Sequence, residues 1–258
     1  MKRLWNSFQI AFSMYSRLPA VQCDWSEENM KYVMCFFPWI GAVIGALCFG
    51  WDCLSAYLNA PDALRNVVLM LIPAAVSGGI HLDGLLDVAD AMSSWRPREK
   101  RLEILKDSNS GAFAVITCVV YFFLLYAVLD TVRGEMTAVY AFAFVISRSL
   151  SAISVVSFPK ASGNGTVAGF ARKAQDQVIR VCCGIYLILC AGIMAWIRPV
   201  YAAAALAAAL LTFFWYYRMA MKNFGGINGD LAGCFVSVCE LTVPAAVAAA
   251  GLLVNLIR

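Results

Sequence analysis

Long uncharged segments, separated by short polar ones, dominate the pattern of the chain. A membrane-spanning helix needs about 20 mainly apolar residues, with a range of roughly 17–25. Seven segments meet this requirement, and only the fourth contains a charged residue, Arg148. They are Tyr32–Trp51, Asn66–Leu82, Ala112–Leu129, Met136–Phe158, Val181–Ile197, Pro199–Tyr217 and Leu241–Ile257.

These segments predict seven transmembrane helices. No strand-like alternation competes with them, and only helices or closed barrels satisfy their backbone hydrogen bonds in lipid. Tyr32 to Leu58, broken only by Asp52, is also consistent with one long tilted helix. The fold class predicted is all-α, a polytopic membrane bundle forming a single domain over residues 1–258.

The N-terminal segment "WNSFQIAFSMY" predicts an amphipathic helix at the membrane interface. Its apolar residues Trp5, Phe8, Ile10 and Phe12 are expected to face lipid. A signal peptide fits less well, because polar residues interrupt the segment.

Basic residues predict the orientation of the bundle. When alternate connections are assigned to opposite sides, sixteen of the twenty Lys and Arg residues fall on the side of the N-terminus. The other side receives Arg65, Arg133, Arg198 and Arg258. The N-terminus is therefore expected in the cytoplasm and the C-terminus outside.

Composition supports a membrane protein and argues against a nucleic-acid-binding one. Charged residues make up 14% of the chain, against about 25% in soluble domains. The net charge of +4 follows from the basic inner loops. The ten cysteines contain no CxxC pair and lie mostly in apolar segments, which is typical of buried small side chains.

The candidate chemistry begins with three aspartates. Asp83, Asp87 and Asp90 are four and three residues apart, so they share one face of a helix, at about 0°, 40° and −20°. Like charges on one face repel each other. Mg²⁺ relieves this repulsion, because it takes oxygen ligands and uses one or two carboxylates together with substrate phosphates. The alternative is an exposed helix end with ordinary acidic residues.

Two further polar segments are expected at the same membrane face. "LKDSNSGAF" supplies Lys106 and Asp107, and "FGGINGDLAG" supplies Gly225, Gly226, Gly229 and Asp230, with Glu240 further into the last span. Glycines let a backbone approach a phosphate closely, and successive N–H groups bind anions.

Two residues inside apolar segments have open roles. Arg148 is a functional candidate that would pair with Glu240 or with a substrate phosphate; the alternative is a side chain that reaches the nearby cytoplasmic interface. His81 would orient a phosphate or act as an acid or base, or is simply a packed histidine.

Several motifs together resemble the signature of the cobalamin synthase family, the adenosylcobinamide-GDP ribazoletransferases. They are "YSRLPA", "FFPWIGAVIG", "GGIHLDGLLDVADAMSS", "LEILKDSNSGAFAV", "ISR" and "FGGINGDLAG" followed by Glu240. They occur in order from Met14 to Glu240. Asn228 stands where the family pattern has threonine, and the Gly163–Gly169 loop matches only loosely.

The resemblance implies a multi-pass inner-membrane enzyme with its active site towards the cytoplasm. It would join adenosylcobinamide-GDP to α-ribazole or α-ribazole 5′-phosphate and release GMP, using Mg²⁺.

The resemblance also implies roles for individual residues. Asp83, Asp87, Asp90, Asp107, Asp230 and Glu240 would ligate the metal, with Asp90 also a candidate general base. His81, Lys106 and Arg148 would assist catalysis. Ser108, Gly111, Gly225, Gly226, Asn228 and Gly229 would bind phosphate.

Two other classes remain open at this stage. A CDP-alcohol-type phospholipid head-group transferase also clusters aspartates, but its D-x₂-D-G-x₂-A-R pattern is absent here. A cation or proton transporter would place its acids near mid-membrane. Oligomerisation, and association with other enzymes of cobalamin synthesis, are left open by the sequence.

Overall fold

The structure, a computed structural model, describes residues 2–19, 25–107, 109–161 and 174–257. These residues form helices and no strand; one isolated β-bridge joins Lys160 to Ile227. The helices are α1 (Lys2–Tyr15), α2 (Glu27–Met30), α3 (Val33–Tyr57), α4 (Asp62–Ser77), α5 (Ile80–Ser93), α6 (Arg98–Ile104), α7 (Ala112–Thr131), α8 (Glu135–Ser157), α9 (Asp176–Ile197), α10 (Pro199–Phe224) and α11 (Gly229–Ile257).

The helices confirm the predicted polytopic bundle. Six of the described helices are long and apolar enough to span a bilayer, and α4 with α5 passes the same test as one bent pair, giving up to seven spans. The single long helix considered for Tyr32 to Leu58 is confirmed as α3. The last helix begins at Gly229, so Asp230 and Glu240 lie within it.

The second predicted span is wrong as a single helix. Asn66–Leu82 is interrupted where Gly78 and Gly79 adopt positive φ angles of 66° and 80°. Two successive left-handed residues cannot continue a right-handed helix. The chain bends by 94°, and the acidic segment forms its own helix, α5.

Close helix crossing builds the centre of the bundle around α8. Gly41 and Gly45 of α3 lie against the α8 backbone, where a Cβ atom would overlap the carbonyl oxygens of Phe144 and Ala141. Two glycines four residues apart give α3 a flat surface that lets the backbones approach. Helix α8 is consequently the most enclosed of the long apolar helices among the described residues.

Helix α1 packs against the bundle, so part of its apolar face contacts protein instead of lipid. Ile10 is fully buried, so the prediction that it faces lipid is wrong. Phe8 makes edge contacts with Phe36 and Trp39 of α3, while Trp5 remains exposed. The helix therefore covers one end of α3.

A buried arginine joins four helices at the face opposite α1. Arg65 of α4 donates from Nε to Asp52 Oδ1 of α3 at 2.5 Å. It also donates to the carbonyl oxygens of Leu129 and Val132 at the end of α7, at 2.9 and 2.7 Å, and to Thr137 of α8. These bonds join the α3–α4 connection to the α7–α8 connection, both of which the sequence assigns to the outer side.

Replacing Arg65 with methionine should destabilise the bundle strongly, because Asp52 and two carbonyl groups would lose their buried partner. Breaking a buried ion pair costs about 3–5 kcal/mol. Arg133→Met is the matched control, since Arg133 pairs with Asp62 at an exposed site where such pairs contribute about 0–1 kcal/mol. Thermal unfolding in detergent measures both variants, and equal losses would contradict the assignment.

Candidate active site

The candidate site begins at the crossing of α5 and α11. A Cβ atom at Gly84 would lie 2.5 Å from the carbonyl oxygen of Asp230, and one at Gly233 would lie 3.2 Å from Cα of His81. Only glycine therefore allows these two helices to approach so closely at residue 84. The approach brings Asp83 and Asp87 beside Asp230.

Four carboxylates form one electrostatic cluster at this crossing. Asp87 interacts with the charges of Asp83, Asp230 and Asp90. Four of the six carboxylates predicted to bind a metal are therefore near enough to interact electrostatically, and their role as ligands stays a prediction. Among the described residues, however, no three His, Cys, Asp or Glu side chains form a ready-made metal site.

Asp90 fixes the start of α7. Its Oδ2 accepts the Gly111 N–H at 2.5 Å and its Oδ1 accepts the Ala114 N–H at 2.9 Å. A carboxylate on the free N–H groups of a helix N-terminus stabilises that helix. The Gly111 N–H predicted to bind phosphate is therefore already occupied by Asp90.

Lys106 and Asp107 of the "LKDSNSGAF" segment are both exposed, and Ser108 lies outside the described residues. The Asp107 Oδ1 accepts from the backbone N–H and the side-chain amide of Asn109 at 3.0 and 2.9 Å. These bonds hold the pKa of the Asp107 carboxyl below its usual range. The contacts described for Asp107 are therefore within its own turn, and its role as a metal ligand stays a prediction.

The glycine-rich segment has specific packing roles. Gly225 ends α10 at φ 68°, and a Cβ there would overlap the Arg98 guanidinium. Gly226 lies directly against the Lys160 backbone, and its neighbour Ile227 exchanges backbone hydrogen bonds with Pro159 and Ala161.

Asn228 orients Asp230. Its Nδ2 donates to Asp230 Oδ2 at 2.9 Å, and its Oδ1 accepts the Leu231 N–H at 2.9 Å. Asn228 therefore caps α11 while holding the aspartate side chain. Gly229, the first residue of α11, is exposed.

Sequence reasoning missed one cation next to this segment. The Arg98 guanidinium lies against Gly225, whereas Gly226 contacts only the backbone of Lys160. The Lys160 ammonium group donates to the Phe158 carbonyl oxygen, and burial lowers its pKa. In the sequence Arg98 resembles the other basic residues of the inner loops, and only its approach to Gly225 distinguishes it.

Arg148 and Glu240 form a buried ion pair, with Nη1 and Oε1 2.5 Å apart. Glu240 lies ten residues beyond Asp230 on α11, or about 15 Å deeper. It therefore cannot share one ion with Asp230, and the structure corrects its inclusion in that metal shell. Arg148 is fully buried and does not reach the interface, and its Nε and Nη2 have no hydrogen-bond partner among the described residues.

His81 stands between two cavities. The larger, of about 220 Å³, is lined by His81, Asp83 and Asp230 together with residues of α1, α3 and α8. The smaller, of about 30 Å³, lies among His81, Ser237 and Glu240. The His81 side chain is buried, and its Nε2 has no hydrogen-bond partner among the described residues.

The donor set of this cluster consists of carboxylate oxygens. These are hard donors of the kind that Mg²⁺ takes, rather than the nitrogen and sulfur ligands typical of zinc or copper sites. Arg98 adds positive charge beside Gly225 in the glycine-rich segment.

Comparison with known proteins agrees with this architecture. The family model described as cobalamin-5-phosphate synthase matches residues 7–248. A protein of Lachnoclostridium phytofermentans named adenosylcobinamide-GDP ribazoletransferase is 42% identical over 242 residues, covering 94% of this chain and 93% of the relative. Proteins with the same name from Clostridium perfringens and Pseudomonas syringae pv. syringae are each 31% identical, covering 94% of this chain and 97% of each relative.

No solved structure matches the chain significantly. The family match nevertheless extends from α1 into α11 and includes the crossing of α5 and α11. The chain belongs to the cobalamin-5-phosphate synthase family.

Proposed function

We propose that this chain joins adenosylcobinamide-GDP to α-ribazole or α-ribazole 5′-phosphate, releasing GMP and forming adenosylcobalamin or its 5′-phosphate. The observation that carries the proposal is the carboxylate cluster at the α5–α11 crossing, within a chain whose relatives bear the name of this reaction. A ribazole hydroxyl oxygen attacks the cobinamide-side phosphorus. The bond from that phosphorus to the GMP oxygen breaks, and GMP leaves with the electron pair.

Mg²⁺ fits the donor set of the cluster. Asp83, Asp87 and Asp230 would hold it, because their carboxylates crowd together while Asp90 is committed to α7. No three side chains among the described residues form a complete metal site. This is compatible with Mg²⁺, because that ion takes part of its coordination shell from substrate phosphates and water. When bound, the ion would supply charge neutralisation on the pyrophosphate oxygens.

The protein's own residues position the reactants. Asn228 holds Asp230 by a hydrogen bond, so this carboxylate enters the site preoriented. Asp90 anchors the N-terminus of α7, which supports this side of the site. A carboxylate of the cluster accepts the proton of the attacking hydroxyl. Arg98, whose guanidinium lies against Gly225, stabilises negative charge on the departing nucleotide.

The cluster side of the bundle faces the cytoplasm in this proposal. Sixteen of the twenty Lys and Arg residues are assigned to the side of the bundle that carries the carboxylate cluster. This orientation is supported because an excess of Lys and Arg marks the cytoplasmic side of membrane proteins.

Neutralising Asp87 should abolish transfer while leaving the fold intact. Asp87→Asn keeps the side-chain volume and removes one charge from the repelling cluster, so folding should not suffer. GMP release, measured with adenosylcobinamide-GDP, α-ribazole and Mg²⁺ in lipid, should fall by about 100-fold or more. The matched control Asp107→Asn, at the exposed aspartate, should stay within about threefold of wild type. Equal activity of both variants would remove Asp87 from the mechanism.

Metal dependence provides a second test. Chelation with EDTA should stop GMP release, and added Mg²⁺ should restore it. Asn228→Ala should raise the Mg²⁺ concentration for half-maximal rate by about 10–100-fold, because the hydrogen bond from Asn228 orients the Asp230 carboxylate. Undiminished transfer in excess EDTA would refute the metal assignment.

Reporter fusions test the orientation. Alkaline phosphatase fused to the C-terminus should be active and green fluorescent protein fused there should be dark, since both report an external end. With seven spans, the C-terminus lies on the side of the membrane opposite the carboxylate cluster. An inactive phosphatase and a fluorescent protein at the C-terminus would therefore place the cluster outside and contradict the proposal.

A further inference from the structure

We propose that the 220 Å³ cavity beside Asp83 and Asp230 binds the benzimidazole ring of the ribazole substrate. The proposal rests on the proposed function and assigns one half of the substrate pair to a place in the fold. Four observations support it: the size of the cavity, its aromatic wall, an unpaired nitrogen and the carboxylates at its polar end.

The size of the cavity suits a bicyclic aromatic ring. A cavity of about 150 Å³ in a protein core binds benzene. The cavity here is about half as large again, at 220 Å³. The ribazole base, 5,6-dimethylbenzimidazole, has nine ring atoms and two methyl groups, against the six ring atoms of benzene. A corrinoid ring is far too large for this space.

Aromatic side chains form one wall of the cavity. The ring centroids of Tyr15 and Phe37 lie 4.6 Å apart, and those of Phe37 and His81 lie 5.6 Å apart. Stacked or edge-on aromatic pairs add favourable energy beyond simple burial. Met14 and Met34 also line the cavity, and thioethers pack well against aromatic rings.

A buried ion pair supports this wall from behind. The Arg148 guanidinium carbon lies 5.8 Å from the centroid of Phe37, and Arg148 is fixed by Glu240. This arrangement gives Arg148 a positioning role, because the guanidinium touches the wall but does not line the cavity.

His81 supplies polar selectivity. Its Nε2 is buried without a hydrogen-bond partner among the described residues, and such an atom costs free energy unless a ligand or water pairs with it. A benzimidazole riboside has one ring nitrogen free to accept a hydrogen bond. Donation from the His81 ring N–H to that nitrogen would distinguish the base from a plain hydrocarbon.

The polar end of the cavity orients the nucleoside. Asp83 and Asp230 line the same space as the aromatic residues, so a base bound against the aromatic wall directs its ribose towards the carboxylate cluster. An acyl chain would leave both carboxylates and His81 unpaired. A guanine base would leave several of its own polar groups unpaired against Met14, Met34 and Phe37.

Filling the cavity tests the assignment. Val155 lines it and is 2% exposed, whereas Val181 is 52% exposed on the outer surface of α9. Val155→Phe should raise the KM for α-ribazole by about tenfold or more and leave the KM for adenosylcobinamide-GDP within about twofold. Val181→Phe, with the same added volume, should change neither. A rise confined to the KM for adenosylcobinamide-GDP would assign the cavity to the other substrate and overturn the proposal.

A second variant keeps the test open if Val155→Phe fails to fold. Tyr15→Leu removes part of the aromatic wall and should raise the KM for α-ribazole by about 3–10-fold. Free 5,6-dimethylbenzimidazole should compete with α-ribazole and not with adenosylcobinamide-GDP. Competition with the nucleotide substrate alone would overturn the assignment.

Direct binding separates this proposal from the proposed function. Calorimetry of the full chain in detergent with α-ribazole alone should show binding that Val155→Phe weakens and Val181→Phe does not. If the wild type binds α-ribazole in this way but releases no GMP, the cavity assignment stands and the proposed reaction fails. If it releases GMP while Val155→Phe and Tyr15→Leu bind α-ribazole as wild type does, the cavity assignment fails and the reaction stands.

Discussion

The close approach of α5 and α11 at Gly84 is the constraint on which the site depends. It places Asp83 and Asp87 next to Asp230, and this concentration of negative charge is unfavourable unless a cation is present. The same crossing sets His81 against Gly233 and thereby shapes the neighbouring cavity. Charge cluster and cavity are two consequences of one backbone contact, and in the proposed function they hold the metal-bound pyrophosphate and the apolar ring side by side.

The sequence predicted the spans well, because the membrane imposes a length and a composition on every crossing helix. It also identified the shared face of Asp83, Asp87 and Asp90, which follows from helical periodicity alone. The bend at Gly78 and Gly79 was not predicted. In a sequence, two adjacent glycines are compatible with a continuous helix. The helix ends here because both glycines adopt positive φ angles, and these depend on packing around the turn.

Tertiary packing also decided which polar residues joined the site. Arg98 carries no local signal that separates it from the other basic residues of the inner loops, yet its guanidinium lies against Gly225. Asp107 follows Lys106 in a family-like motif, yet its carboxylate bonds Asn109 in an exposed turn. Sequence spacing specifies neighbours within one helix, but it does not specify which loop reaches a given helix end.

The Arg148–Glu240 pair shows why charge deep in a bundle need not mean transport. Burying an unpaired charge at this depth would cost free energy, and the ion pair offsets that cost because the two charges neutralise each other. Ser147 also donates to Glu240, and Arg148 donates to the Phe144 carbonyl oxygen. Both charges are buried, and each is neutralised chiefly by the other. A pair of apolar residues would pack there at lower desolvation cost. What they could not supply is a fixed positive charge beside Phe37, whose ring centroid lies 5.8 Å from the guanidinium carbon.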